Sequence, residues 1–119
     1  MSEEINFVNL TPHEVNIYVN GDKNQIKIPP SGIIARVAVE RKQVKSIRGI
    51  PVYYNKFGNI DGIPDPCNNV IYIVSTLVRQ ALTAQGFIRD DVVATDTSPE
   101  SVIRDKEGRT KGIRALQYV

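Results

Sequence analysis

The chain has 119 residues, 41% of them hydrophobic, and a net charge of +2. That is one modest core's worth of material, too short for two domains with separate cores, so residues 1–119 are expected to form a single domain. One cysteine, Cys67, excludes an intrachain disulfide and suits a reducing cytosol. No stretch approaches the roughly 18 apolar residues of a membrane-spanning helix, and the polar, acidic Ser2-Glu3-Glu4 does not read as the start of a secretory signal.

Tryptophan is absent and aromatic residues make up only 7%. Ile and Val must then supply most of the packing, and both favour strands. Ile5–Leu10 reads as a first strand, broken at Thr11-Pro12-His13. Glu14–Val19 alternates polar and apolar residues, as a half-buried strand does. Asn20-Gly21 marks a tight turn, Gln25–Ile28 returns from it, and Pro29-Pro30 ends the pair. After Ser31-Gly32 the alternation resumes over Ile33–Val39, with Arg36 on the side opposite Ile33, Ala35, Val37 and Val39. The first forty residues thus predict an antiparallel meander.

Residues 40–49 are basic and without clear period. Pro51–Lys56 reads as another strand, and Gly58, Gly62, Pro64 and Pro66 mark a turn-rich connection. Val70–Val74 is a short, continuously apolar strand. One helix follows: Ser75 is a suitable N-cap, Leu77, Val78, Ala81 and Leu82 form an apolar stripe, Arg79 and Gln80 are expected to face water, and Gly86 is a fitting stop. Beyond the small polar loop around Asp96-Thr97-Ser98-Pro99, Val102–Leu116 reads as a hairpin turning at Lys106-Glu107-Gly108. The class predicted is α+β: a mainly antiparallel β-sheet with one main α-helix and a C-terminal β-hairpin.

Charge is uneven. Residues 101–119 hold five Lys or Arg against two acids, a net of +3, which leaves about −1 for the rest. Arg104, Arg109 and Arg114 are spaced five apart. Strand alternation pairs Arg104 with Thr110 and puts Arg109 and Lys111 on the other face, unless a bulge at Gly108 swaps them. Arg forks grip phosphate oxygens two at a time, and Thr97 and Ser98 add hydroxyl donors beside them. Phe87, Tyr53, Tyr54 and Tyr118 offer flat faces for a base. The bland reading of the same residues is a solvated basic hairpin.

Signals for catalysis are weak. His13 is the only histidine and sits in a turn, so a structural role is expected of it. Cys67 has no candidate His or Asn partner and reads as an incidental thiol. Asp90 and Asp91 are adjacent and on a strand would point apart, which suits no acid–base pair. No phosphate loop or zinc-ligand spacing is present. The expectation is no enzyme activity, cofactor or metal.

Several stretches, in order, carry a resemblance: Asn9-Leu10-Thr11-Pro12-His13-Glu14-Val15, then Gly49–Val52, then Phe57 through Pro66. Ile71-Tyr72-Ile73-Val74-Ser75, Arg89-Asp90-Asp91-Val92-Val93 with Asp96-Thr97, and Arg104 through Arg109 complete it. Together they resemble the first-described class of phage Thoeris anti-defence proteins, the "sponges", over nearly the whole chain. The resemblance implies a protein that binds cyclic ADP-ribose isomers made by a TIR immune protein and holds them uncleaved in the host cytoplasm. Members form homodimers, some assembling into hexamers as trimers of dimers that also capture cyclic oligonucleotides. Neither a membrane nor a nucleic-acid polymer is expected as a partner.

The family pocket sets an aromatic ring against adenine and arginines on the pyrophosphate. The ligand-binding residues this implies are Phe87 (or Tyr53 or Tyr54 in its place), with Arg89 in the segment after it, and Arg104, Arg109 and Arg114 for phosphate. Lys56 stands where many relatives have Arg, and Thr97 and Ser98 complete the set. Two other readings stay open: a small phage structural or assembly protein, and a weak single-stranded nucleic-acid binder.

Overall fold

The computed structural model describes residues 4–19 and 24–119. Its elements run β1 (Asn6–Asn9), β2 (Val15–Val19), β3 (Asn24–Ile28), β4 (Arg36–Ile47), β5 (Ile50–Asp61), β6 (Val70–Val74), α1 (Thr76–Ala84), β7 (Val92–Thr95), β8 (Ile103–Arg104), β9 (Thr110–Gly112) and β10 (Leu116–Gln117). The protein is mainly β with one short helix. The turn expected at Asn20-Gly21 lies outside the described residues.

The largest sheet has the order β1-β6-β7-β10. It is mostly parallel, which corrects the antiparallel expectation. β1 and β7 both run parallel to β6, and only β10 is antiparallel, to β7. The physical reason lies in Val70–Val74. It is apolar at every position because both its faces are covered, as in a strand flanked by a crossover helix. α1 supplies that crossover between β6 and β7. The other antiparallel pairs are three two-stranded ribbons: β2-β3, β4-β5 and β8-β9.

The pleat divides the core between the two faces of the sheet. On one face Tyr72, Val74 and Val92 pack with Val78 and Leu82 of α1 and with Leu10 and Ala35. On the other, Ile73 and Val93 meet Val15, Ile17 and Ile28 of the β2-β3 ribbon, and Ile113. Asn9 is buried between these parts and fully used. Its Nδ2 donates to the carbonyls of His13 (2.7 Å) and Ile28 (3.1 Å), while its Oδ1 accepts from the Thr11 backbone (2.9 Å) and hydroxyl (2.6 Å). The Asn9–His13 stretch is therefore a side-chain-built corner, and the His13 backbone supplies its structural contribution.

The helix has the caps the sequence predicts. Ser75 Oγ accepts from the Val78 amide (3.2 Å). At the far end Gly86 takes φ +78°, its N–H bonds Thr83 O and the Phe87 N–H bonds Leu82 O, the paired closure of a Schellman turn. Its facing differs from expectation. Leu77 is 42% exposed, whereas Arg79 is only 7% exposed. The buried stripe is Val78, Ala81 and Leu82, at i, i+3 and i+4. The Arg79 side chain folds back under the chain end, where its guanidinium lies 5.4 Å from the Tyr118 ring centre.

β4 and β5 form a ribbon of 12-residue strands. Residues 40–49, without period in the sequence, and 58–61, read as a connection, both lie within this hairpin. Ile47 faces Ile50 across Arg48 (φ 53°) and Gly49 (φ 81°). Positive φ at both central residues is the two-residue turn that matches strand twist. The ribbon is why the molecule measures 58 × 40 × 22 Å with a radius of gyration of 16.9 Å, against about 13.5 Å for a compact chain of this length.

Candidate functional site

Two clefts flank the core. The first, about 720 Å³, lies where the base of the β4-β5 ribbon meets the end of α1. That volume is in the range of small-ligand sites. Arg36, Val37 and Ala38 line it from β4, Asn59, Ile60 and Asp61 from β5, and Gln85 and Phe87 from the helix end. The Schellman turn fixes Phe87, leaving the residue 53% exposed. Gln85 Nε2 donates to Gly58 O (2.7 Å), tying the helix end to the ribbon. Arg36 and Asp61 are opposite each other in the strand register. The Arg36 guanidinium has no hydrogen-bond or ion-pair partner among the described residues. Residues with an aromatic ring, an unpaired guanidinium, a carboxylate and amides thus line one cleft, and such groups suit a base, a phosphate and ribose hydroxyls.

The second cleft, about 500 Å³, lies at the C-terminal ends of β6 and β7, between the Thr11–Asn16 corner and β9. Thr97 lines it, with Thr95, Thr110, Lys111 and His13. A smaller hollow of about 200 Å³ beside the ribbon is lined by Lys56, Val39 and Phe57.

The residues singled out in the sequence are therefore distributed. Phe87 lines the first cleft, Thr97 the second and Lys56 the third, while Arg89, Ser98, Arg104, Arg109 and Arg114 line none of them. Arg89 is engaged internally. Its Nε and Nη2 grip Asp91 at 2.8 and 3.0 Å, and Nη2 also donates to Pro64 O (2.9 Å). The Arg89 hydrogen bonds hold the Asp91 carboxyl below the usual carboxylate range, against a smaller opposing effect of burial, and Asp91 raises Arg89 in return. Ser98 sits in a turn whose N–H bonds Asp96 Oδ1 (2.9 Å).

The C-terminal hairpin pairs Arg104 with Thr110, as alternation predicts, with Gly108 at φ 82° in its turn. A bulge then sets Ile103 opposite Gly112, shifting the facing beyond that pair. The three arginines are not equivalent. Arg104 donates to Gly108 O (3.0 Å), and Arg109 pairs with Asp105 (3.4 Å) and Glu107. Arg114 alone has no side-chain partner among the described residues. Its backbone is pinned by buried Ser101, whose Oγ accepts from the Arg114 and Ala115 amides at 3.1 Å each. Tyr118 is occupied too, stacked on Arg79 and donating to Asp90 O (2.7 Å).

Arg36, Asn59, Asp61 and Gln85 were not among the predicted site residues. A signal existed for three of them. Arg36 is the charged residue set against the apolar side of Ile33–Val39, and Asn59 and Asp61 lie inside the Phe57–Pro66 stretch. Among the described residues no group of three or more His, Cys, Asp or Glu is placed to hold a metal ion, and Cys67 is free and exposed. No described helix is long and apolar enough to cross a membrane. Set against protein-family models, curated proteins and solved structures, the chain matches none.

Proposed function

We propose that this is a sponge: a phage anti-defence protein that captures a cyclic ADP-ribose isomer in the host cytoplasm and holds it uncleaved. The observation that carries the reading is the Phe87 cleft, an exposed aromatic residue in a hollow that the unpaired Arg36 and Asp61 also line. The adenine stacks on Phe87, Arg36 takes the pyrophosphate, and Asp61 accepts from ribose hydroxyls. Asn59, which also lines the cleft, reads the base edge, while Gln85 holds the helix end to the ribbon. Capture at micromolar signal levels needs a dissociation constant in the tens of nanomolar, roughly −10 kcal/mol. One stacked base and one Arg–phosphate contact supply only a few kcal/mol gross, so burial of the remaining ligand surface has to contribute the larger share.

The proposal includes a homodimer, or a hexamer built from dimers, in which a partner covers the exposed strands of the β8-β9 hairpin. The test is recovery. Pure protein is mixed with a cyclic ADP-ribose isomer, desalted and heated, and the supernatant is read by mass spectrometry. Intact isomer in stoichiometric yield supports a sponge. No isomer, or only a linear product, overturns it.

A further inference from the structure

We propose that the β4-β5 ribbon is a docking surface for single-stranded nucleic acid. The proposal is independent of the Phe87 cleft, which lies at the ribbon's base. Residues 39–57 hold five Lys or Arg and one acid, Glu40, a net of +4 that leaves −2 for the other residues. The overall charge of +2 hides this concentration.

The strand register arranges it. Lys42 is opposite Tyr54, Lys45 opposite Val52, and Lys56 opposite Glu40. Residues 52, 54 and 56 share one face of the pleat, so Tyr54 stands between lysines along about 13 Å of that face. Tyr54 is 47% exposed. None of Lys42, Lys45 and Lys56 has an ion-pair partner among the described residues. The opposite face is different: there Arg41 covers the Tyr53 ring at 4.1 Å. A flat ring between unpaired cations on an extended surface is the arrangement that binds successive bases and phosphates of a strand.

Two other occupants fit less well. The tip carries exposed Ile47 and Ile50, as a membrane-touching loop would. Lys56, however, lies six residues behind Ile50, about 20 Å away and beyond a Debye length of roughly 8–10 Å. A membrane at the tip would leave that charge unused, whereas a linear polyanion engages all three lysines. A second copy's ribbon, of the same sign, is repelled.

Fluorescence anisotropy of labelled oligothymidine with the full chain tests the proposal. Three phosphate contacts predict a slope near −2 in log affinity against log salt, a loss of roughly 15- to 20-fold between 50 and 200 mM. Lys42→Glu with Lys45→Glu should weaken binding more than about 10-fold and flatten the slope, and Tyr54→Ala should weaken it roughly 10-fold. Lys27→Glu, on exposed β3, should leave it unchanged. Unaltered thermal melts verify folding of each variant. The proposal is overturned if oligothymidine fails to bind, if Lys27→Glu weakens binding as much as the ribbon variant, or if only phosphatidylserine vesicles bind.

Discussion

β6 and the outer half of β5 are both rich in β-branched and aromatic residues, yet one is buried on both faces and the other on neither. Ile73 and Val74 have no exposed surface, while Ile50 is 65% exposed and Tyr53 and Tyr54 nearly half. The difference lies in what each strand pairs with. β6 sits between β1 and β7, under a helix on one side and a ribbon on the other. The outer part of β5 has only β4, and a lone two-stranded ribbon is marginal in water. The body therefore holds the fold, and the ribbon presents side chains outward.

The sharpest test of that division is a pair of truncations. Ile73→Ala should cost about 3–4 kcal/mol and lower the melting temperature by more than about 10 °C. Ile50→Ala should change stability by no more than about 0.5 kcal/mol. Equal effects in calorimetric melts would erase the distinction. Asn9→Ala comes next, at about 2–3 kcal/mol, because it leaves the His13 and Ile28 carbonyls without their donor. Urea midpoints would measure it, and a neutral result would show that water replaces the side chain. Gly86→Ala forces an L-residue to φ +78°, costs roughly 1–2 kcal/mol, and should weaken ligand binding as well, since it moves Phe87.

The smallest expected effect is on acid stability. Arg89 depresses the Asp91 carboxyl in the folded state, so folding binds fewer protons there than the unfolded chain does. The stabilisation is fully present above the unfolded value near 3.9 and is lost as pH falls through the lower folded value. Wild-type melts should therefore lose stability below about pH 4, and Asp91→Asn should show less of that loss.

Local features were legible and distant pairings were not. Ser75 and Gly86 delimit the helix because capping is written in adjacent residues. Gly108 fixes the tail hairpin and the Arg104–Thr110 pair for the same reason. The parallel sheet escaped prediction because β1 pairs with β6, some sixty residues later, and no local pattern marks such a partner. The continuous apolar run Val70–Val74 was the available clue. Residues 40–49 showed no period because both faces of the ribbon meet water and none is selected for burial. The site divides likewise. Phe87 stands out as an aromatic just past a helix stop. Arg36 and Asp61 become neighbours only through the β4-β5 register, and the apparent clamp of three arginines separates once Asp105, Glu107 and Gly108 O engage two of them.

The most direct measurement of the central claim is calorimetric titration of a cyclic ADP-ribose isomer into wild type and Phe87→Ala. Wild type should bind with a dissociation constant in the tens of nanomolar, and Phe87→Ala should bind roughly 10- to 100-fold more weakly for loss of the stacked base. Absence of binding to wild type, or equal affinity of the two proteins, would contradict the assignment of this cleft.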